Sequence, residues 1–283
     1  MTGISVVIPC YNRWAYLRSA IDSVIEQRYA GPLEILVADD GSTDDSVTIA
    51  ESYGPRVRLL RRPAGASRGV SSARNRCLEM ATQPLVAFLD ADDVWLPGHL
   101  AALADALNSD PTAGMAYDNG RYMTEDGTPY GERIAPSNTS AASLLLDCFL
   151  AVDGVMLRRR ALDEVGPFDE TLLYGEDHDL WLRILERFPA VHVPMFGYMY
   201  RKHQHQLSKD AVMWQYAARV LDKARCRYPY ANGVVRKRQA VISYRLGQVA
   251  LRHGRVAVGL VRLGKAAFYD PGRAVREMGK WIT

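Results

Sequence analysis

The apolar run Leu85-Val86-Ala87-Phe88-Leu89 stops abruptly at Asp90-Ala91-Asp92-Asp93. A short, continuously apolar segment between breakers reads as a strand buried on both faces, which requires a largely parallel sheet covered by helices. Ligands of open α/β sheets collect at the carboxyl ends of such strands, so these acids stand where chemistry is done. Asp90 and Asp92 are two apart and would share a face of a regular strand, and a turn there could aim both at one small space. Converging carboxylates repel unless a cation joins them, and oxygen ligands suit Mg²⁺ or Mn²⁺ shared with a substrate phosphate. Taken alone, the stretch is explained better as an acid-rich exposed turn. The rest of the chain decides.

The same junction recurs upstream. Ile4 to Pro9 is a strand that its proline stops, followed by the loop Cys10-Tyr11-Asn12-Arg13. Leu17, Ile21, Val24 and Ile25 share one helical face, giving a helix over 14–27. Leu33 to Ala38 is a second strand and ends in Asp39-Asp40-Gly41-Ser42-Thr43-Asp44. Strand, helix, strand with short connections is a βαβ unit, which puts both strand ends on one edge of a parallel sheet. Ser42 is expected to cap a helix from Asp44 to about Tyr53, with Asp44 and Asp45 as its dipole partners. Asp39 and Asp40 precede the cap and are not explained by it.

A third strand is expected at 57–60. The Gly/Ser-rich segment from Gly65 to Arg76 then carries Arg68, Arg74 and Arg76 towards the same edge. It could offer a diphosphate cations and free amides, and an ordinary basic surface helix explains it equally well. Pro97 is placed at the first position of the next helix. There is no G-x-G-x-x-G, no G-x-x-x-x-G-K-[ST] and no calcium-loop glycine after Asp90 or Asp92. A nucleotide bound through acids and a metal remains.

In the second half, 115–118 and 155–158 read as strands, Asp126-Gly127-Thr128-Pro129 as a hairpin turn and 159–165 as a short helix. Glu176-Asp177-His178-Asp179 opens an amphipathic helix with Leu180, Ile184 and Leu185 inward and Trp181 in the core. Dipole partnership accounts for one or two of its acids but makes no use of the Glu-Asp pair. Gly197 to His203 is a strand with a basic exit, followed by Gln204 and His205.

The net charge of +3 hides an asymmetry: from Arg219 onward 15 Lys and Arg face three acids, leaving the remainder at −9. A boundary near 210–225 follows. Beyond it Val256, Leu260, Leu263 and Ala267 form an apolar stripe beside Arg255, Arg262 and Lys265. One helical hairpin cannot bury its own stripe, so the sheet domain, a second protomer or an anionic inner leaflet must cover it. Aromatic residues are not interleaved with the basic ones as a nucleic-acid platform needs, and no nucleic acid is expected. The four scattered cysteines and a start that runs straight into a strand point to the reducing cytoplasm, and no apolar run is long enough to span a bilayer.

Val6-Val7-Ile8-Pro9-Cys10-Tyr11-Asn12, Val37-Ala38-Asp39-Asp40-Gly41-Ser42-Thr43-Asp44, Gly69-Val70-Ser71-Ser72-Ala73-Arg74-Asn75 and Phe88-Leu89-Asp90-Ala91-Asp92-Asp93 are four ordered blocks. Together they resemble the family 2 inverting glycosyltransferases of the GT-A fold over residues 1–210. The resemblance implies a Rossmann-like α/β mixed sheet flanked by helices, with a nucleotide-sugar half (1–110), an acceptor half (111–210) and a basic helical appendage (211–283). It implies that Pro9, Tyr11 and Asp40 frame the nucleobase, that Asp90 holds ribose or metal-bound water, and that Arg74 lies near base or phosphates. By the same resemblance Asp92 ligates Mn²⁺ or Mg²⁺ in a DXD motif, with His203 or, failing it, His205 beside the metal. Asp177 is the implied base, with Glu176 and Asp179 in reserve. The expected donor is a UDP-sugar and the acceptor a glycan, polysaccharide or lipid-linked hydroxyl, as in cell-envelope synthesis. A homo-oligomer is possible in principle. A sugar-1-phosphate nucleotidyltransferase would need a Gly-rich basic loop where Pro9-Cys10-Tyr11-Asn12 stands. A non-catalytic nucleotide-sugar-binding partner would not need the acids at 92 and 177.

Overall fold

The structure, a computed structural model, describes residues 1–203 and 212–272. His205 lies outside the described residues. The chain divides into two compact units, Met1–Ser140 with Phe149–Gln206, and Ala141–Cys148 with Leu207–Thr283.

The first unit contains β1 (Ile4–Cys10), α1 (Trp14–Ile25), β2 (Leu33–Asp39), α2 (Ser46–Glu51), β3 (Arg58–Leu60), α3 (Val70–Met80) and β4 (Leu85–Phe88). It continues through β5 (Val94–Trp95), α4 (His99–Ser109), β6 (Met115–Met123) and β7 (Pro129–Arg133). After α5 (Ala141–Leu146), which belongs to the other unit, come β8 (Val155–Arg158), α6 (Arg159–Val165), α7 (Glu176–Leu185) and β9 (Ala190–Arg201).

Among the described residues one sheet runs β3-β2-β1-β4-β8-β6-β9-β5, with β7 paired to β6. β1 is parallel to β2 and β4, in a register that pairs Cys10 with Asp39 and Val7 with Phe88. Strands β1, β2 and β4 therefore deliver their carboxyl ends to one edge, and the chain leaves β1 for opposite neighbours. A crevice opens at such a switch point. β8 is antiparallel to both β4 and β6, while β9 is parallel to β6, so the sheet is mixed as expected.

Alternation along the strands decides what covers each face. Ile4, Val6, Ile8, Leu85 and Ala87 pack in one core with Leu17, Ile21 and Val24 of α1 and Leu100, Leu103 and Leu107 of α4. Phe88 points the other way and meets Phe168 and Trp181 edge-on at 5.5 and 5.7 Å between ring centroids. Such aromatic pairs contribute about 0.5–1.5 kcal/mol each beyond their burial. They fasten α7 beneath the end of β4, and Trp181 is fully buried.

Local expectations failed where a turn competed with a helix start. Ser42 is not a cap: its Oγ accepts the Asn12 N–H at 2.9 Å, while Asp44 Oδ1 accepts the Ser46 N–H at 3.0 Å and α2 begins only at Ser46. Pro97 is not in the helix, because Gly98 takes a left-handed φ of 86° and α4 starts at His99. The two-residue strand β5 was not anticipated.

The second unit contains α5, α8 (Met213–Arg227), α9 (Asn232–Arg252) and α10 (Val256–Tyr269). Here the expected stripe is corrected. Gly247 and Gly259 let α9 and α10 approach so closely that a Cβ on Gly259 would sit 2.5 Å from Leu251 Cδ2, and one on Gly247 3.1 Å from Leu263 Cδ2. Gly259, Leu263 and Ala266 thus face α9, whereas Val256 and Leu260 are exposed.

Candidate active site

Two strand ends and one helix start supply the acids, in different states. At the end of β2, Asp39 turns back on its own loop and accepts the N–H groups of Gly41 and Ser42 at 3.2 Å. Gly41 has a φ of 90°, and a Cβ there would lie 2.7 Å from the Pro63 carbonyl, so no other residue fits the turn. Asp40 Oδ2 accepts from Ser67 Oγ (2.6 Å) and from the N–H groups of Arg68 and Gly69 (2.8 Å each). That organises the loop entering α3. Asp40 Oδ1 is 3.1 Å from Arg62 Nε but outside hydrogen-bond geometry, leaving a buried oxygen with an unused lone pair. Pro9 lies in β1 beside Ala38. Tyr11, 42% exposed, stands just past the same strand end.

At the end of β4 the acids separate by burial. Asp90 Oδ1 receives Arg74 Nη2 at 2.7 Å, and its N–H donates to Asp153 Oδ1 at 2.8 Å. Asp92 Oδ2 lies 2.8 Å from His203 Nε2 and 3.1 Å from Arg13 Nε. Burial alone would push the Asp92 carboxyl up, but the His203 hydrogen bond and the Arg13 charge outweigh it and hold it below the usual range. Asp93 is buried, accepts the Arg201 N–H at 2.6 Å, and is pushed well above the usual range by burial and then by the charges of Asp153 and Asp92. Burial, followed by the charge of Asp90, raises Asp153 to about 7. Asp153 Oδ2 is buried and makes no hydrogen bond.

Asp90, Asp93 and Asp153 each place an oxygen within 4.8 Å of the others. Two of the three are buried, and burial together with their mutual charge raises both Asp93 and Asp153. Asp92 and His203 offer a second carboxylate–imidazole donor pair beside this cluster. One carboxylate with one imidazole favours Mn²⁺ over Mg²⁺. His203 is held flat against Tyr16, with centroids 5.6 Å apart, and Arg201 lies over the same tyrosine.

The start of α7 completes the site. Glu176 Oε1 receives Arg74 Nη1 at 2.7 Å, so one buried guanidinium holds Asp90 with one nitrogen and Glu176 with the other. Burial first and the Asp177 charge second raise Glu176 to about 7. Asp177 is half-buried, accepts the His178 N–H at 2.7 Å, and is raised chiefly by burial, with the charges of Arg74 and Arg133 opposing and that of Asp90 reinforcing. Asp179, the second reserve, is the deepest of the three. It is fully buried and paired with Arg183 at 3.0 Å, one turn on along the helix.

Of the expected site residues, Arg74, Asp90 and Glu176 meet directly, Asp177 adjoins them, and Asp92 and His203 form a neighbouring pair. Sequence reasoning missed Arg13, Tyr16, Arg133 and Asp153. Asp153 had a signal: it is an acid inside the otherwise apolar run 149–157, and a buried acid needs a partner.

Residues 5–166 match the model of a family described as glycosyl transferase family 2. An Escherichia coli protein named UDP-Glc:alpha-D-GlcNAc-diphosphoundecaprenol beta-1,3-glucosyltransferase WfgD is 29% identical over 211 residues, 73% of this chain and 80% of that one. An uncharacterized glycosyltransferase of Rickettsia felis is 30% identical over 73% of this chain, which spans only 35% of that longer protein. Among solved structures, S. aureus TarS 1-349 in complex with UDP-GlcNAc superposes with a TM-score of 0.72 at 16% identity, covering 96% of this chain and 82% of TarS. The mannosyltransferase PcManGT from Pyrobaculum calidifontis, in complex with GDP-Man and Mn²⁺, gives 0.67 at 18% identity, covering 99% and 79%. The fold is therefore that of the GT-A glycosyltransferases.

Proposed function

The chain belongs to glycosyl transferase family 2, and from that premise we propose a metal-dependent, inverting transfer of a sugar from a UDP-sugar to a hydroxyl of a lipid-linked glycan. The observation that carries the reading is the double grip of Arg74 on Asp90 and Glu176, which ties the donor-side strand end to the acids of α7. Pro9, Tyr11 and the unused Oδ1 of Asp40 frame the nucleobase, and Asp90 takes the ribose. Asp92 and His203 hold the divalent metal, which when bound offsets charge developing on the leaving diphosphate. Arg13, beside Asp92, adds a second positive charge on that side.

Asp177 accepts the proton of the acceptor hydroxyl as its oxygen attacks the anomeric carbon. The carbon–oxygen bond to the diphosphate breaks in line, and the nucleoside diphosphate leaves. A base works best with a pKa near the working pH, and burial moves Asp177 in that direction. Arg74 keeps the three neighbouring acids from repelling one another apart. The names of the E. coli relative and of the TarS complex support UDP as the nucleotide, and the former supports a polyprenyl-diphosphate-linked acceptor.

Calorimetric titration of UDP, GDP and dTDP, with Mn²⁺ and with a chelator, tests the donor site. UDP is expected to bind only with the metal, and Asp177→Asn to bind UDP normally without turnover. Binding of none of the three under either condition would end this reading. Binding with undiminished turnover in Asp177→Asn would move the base elsewhere.

A further inference from the structure

We propose that the outward face of α10 inserts in the plane of an anionic membrane surface. This rests on the proposed lipid-linked acceptor only for preferring a bilayer to a second copy of the chain. Packing on α9 uses Gly259, Leu263 and Ala266, and that leaves the opposite side of α10 apolar. Positions 256, 257, 260, 261, 264 and 268 recur at three- and four-residue spacing and lie on that side. Leu260, Val261 and Phe268 are 59%, 60% and 72% exposed. Soluble surfaces rarely show such large side chains contiguously.

What borders the face selects its occupant. Arg262 and Lys265 are exposed along its flank and Arg255 stands at its start. Between Asp222 and Asp270 the sequence has eleven Lys and Arg and not one carboxylate. A symmetric contact between two α10 faces would set these cations against their own copies with no acid in α9 or α10 to meet them. An anionic headgroup layer complements them, while its acyl boundary takes Leu260, Val261 and Phe268. An apolar face with a cationic margin is the pattern of an interfacial helix. Among the described residues no helix is long and apolar enough to cross a membrane, so the mode is in-plane.

The test is co-sedimentation of the full chain with vesicles of phosphatidylethanolamine containing 30% phosphatidylglycerol, or of phosphatidylcholine alone, with UDP affinity and particle mass measured alongside. Binding is expected to anionic vesicles only. Leu260→Asp with Phe268→Asp should lower the partition coefficient at least tenfold, with the thermal midpoint and UDP affinity unchanged. The milder pair Leu260→Ala with Phe268→Ala should lower it severalfold, which keeps the test open if the acidic pair misfolds. Arg262→Gln with Lys265→Gln should lower it about tenfold and flatten its salt dependence. Absence of vesicle binding overturns the proposal, as does binding that the apolar substitutions leave intact, since that is polyanion attraction alone. A dimer that Leu260→Asp converts to a monomer also overturns it, in favour of a second copy. Vesicle binding without nucleotide binding would leave this proposal standing and remove the catalytic reading instead.

Discussion

The end of β4 and the start of α7 each crowd acids into four residues, and the structure sorts both groups the same way. Asp93 and Asp179 turn inward and are consumed by the fold, Asp93 on the Arg201 N–H and Asp179 on Arg183. Asp92 and Asp177 keep partial exposure at the cleft. The electrostatics then diverge. The His203 hydrogen bond and the Arg13 charge hold Asp92 below the usual range, whereas burial raises Asp177. On the proposed reading, a strand end next to Arg13 and His203 supplies a metal ligand, and a helix start behind a buried arginine supplies the proton acceptor. Equal acidity in sequence thus becomes two different chemical tools.

The sharpest way to break this comparison is to neutralise the proposed base. Asp177→Asn is expected to lower turnover by about 10²–10⁴-fold with UDP binding preserved, measured as UDP release under saturating donor. An equal loss in a folded Asp179 variant would erase the distinction inside α7. Asp179→Ala should instead strand the Arg183 charge and cost about 3–5 kcal/mol of stability, read from urea unfolding, with residual activity per folded molecule little changed. Asp92→Ala should weaken Mn²⁺-dependent UDP binding at least tenfold, about 1.4 kcal/mol or more, with little effect on stability. Calorimetry in Mn²⁺ and in chelator checks it. If the chelated and metal-loaded affinities of the native chain were equal, Asp92 would be no more a ligand than Asp93.

The smallest effect concerns the buried acids. Asp153 sits at about 7 in the fold against 3.8 for the free side chain. The folded chain therefore keeps a proton that the unfolded chain releases, and the contribution is full below about pH 4 and fades as pH rises through about 7. Asp153→Asn can still accept the Asp90 N–H, so it should flatten this dependence by on the order of 1–2 kcal/mol. Urea midpoints between pH 4.5 and 8 would reveal it. An unchanged slope would mean that Asp153 keeps no such proton.

Much of this was legible in the chain. Apolar runs that stop at Pro9, Asp39 and Asp90 announced strands ending at one edge, and the pairing of Cys10 with Asp39 and Val7 with Phe88 bears that out. Helix starts were less legible, because Asp44 and Gly98 redirected turns that Ser42 and Pro97 seemed suited to fill. Period alone also left the side of α10 that packs undetermined. Its helix is apolar over more than one face, and the glycine contact with α9 made the choice.

The sequence by itself determined which residues are chemically capable and which strand ends carry them, since burial periodicity and breakers are local properties. Only the tertiary structure decided which acids are spent. Asp153 reaches Asp90 across 63 positions, His203 reaches Asp92 across 111, and Glu176 reaches Arg74 across 102. A carboxylate's role depends on its desolvation and its neighbours' charges, and both are set by contacts that exist only once the chain has folded.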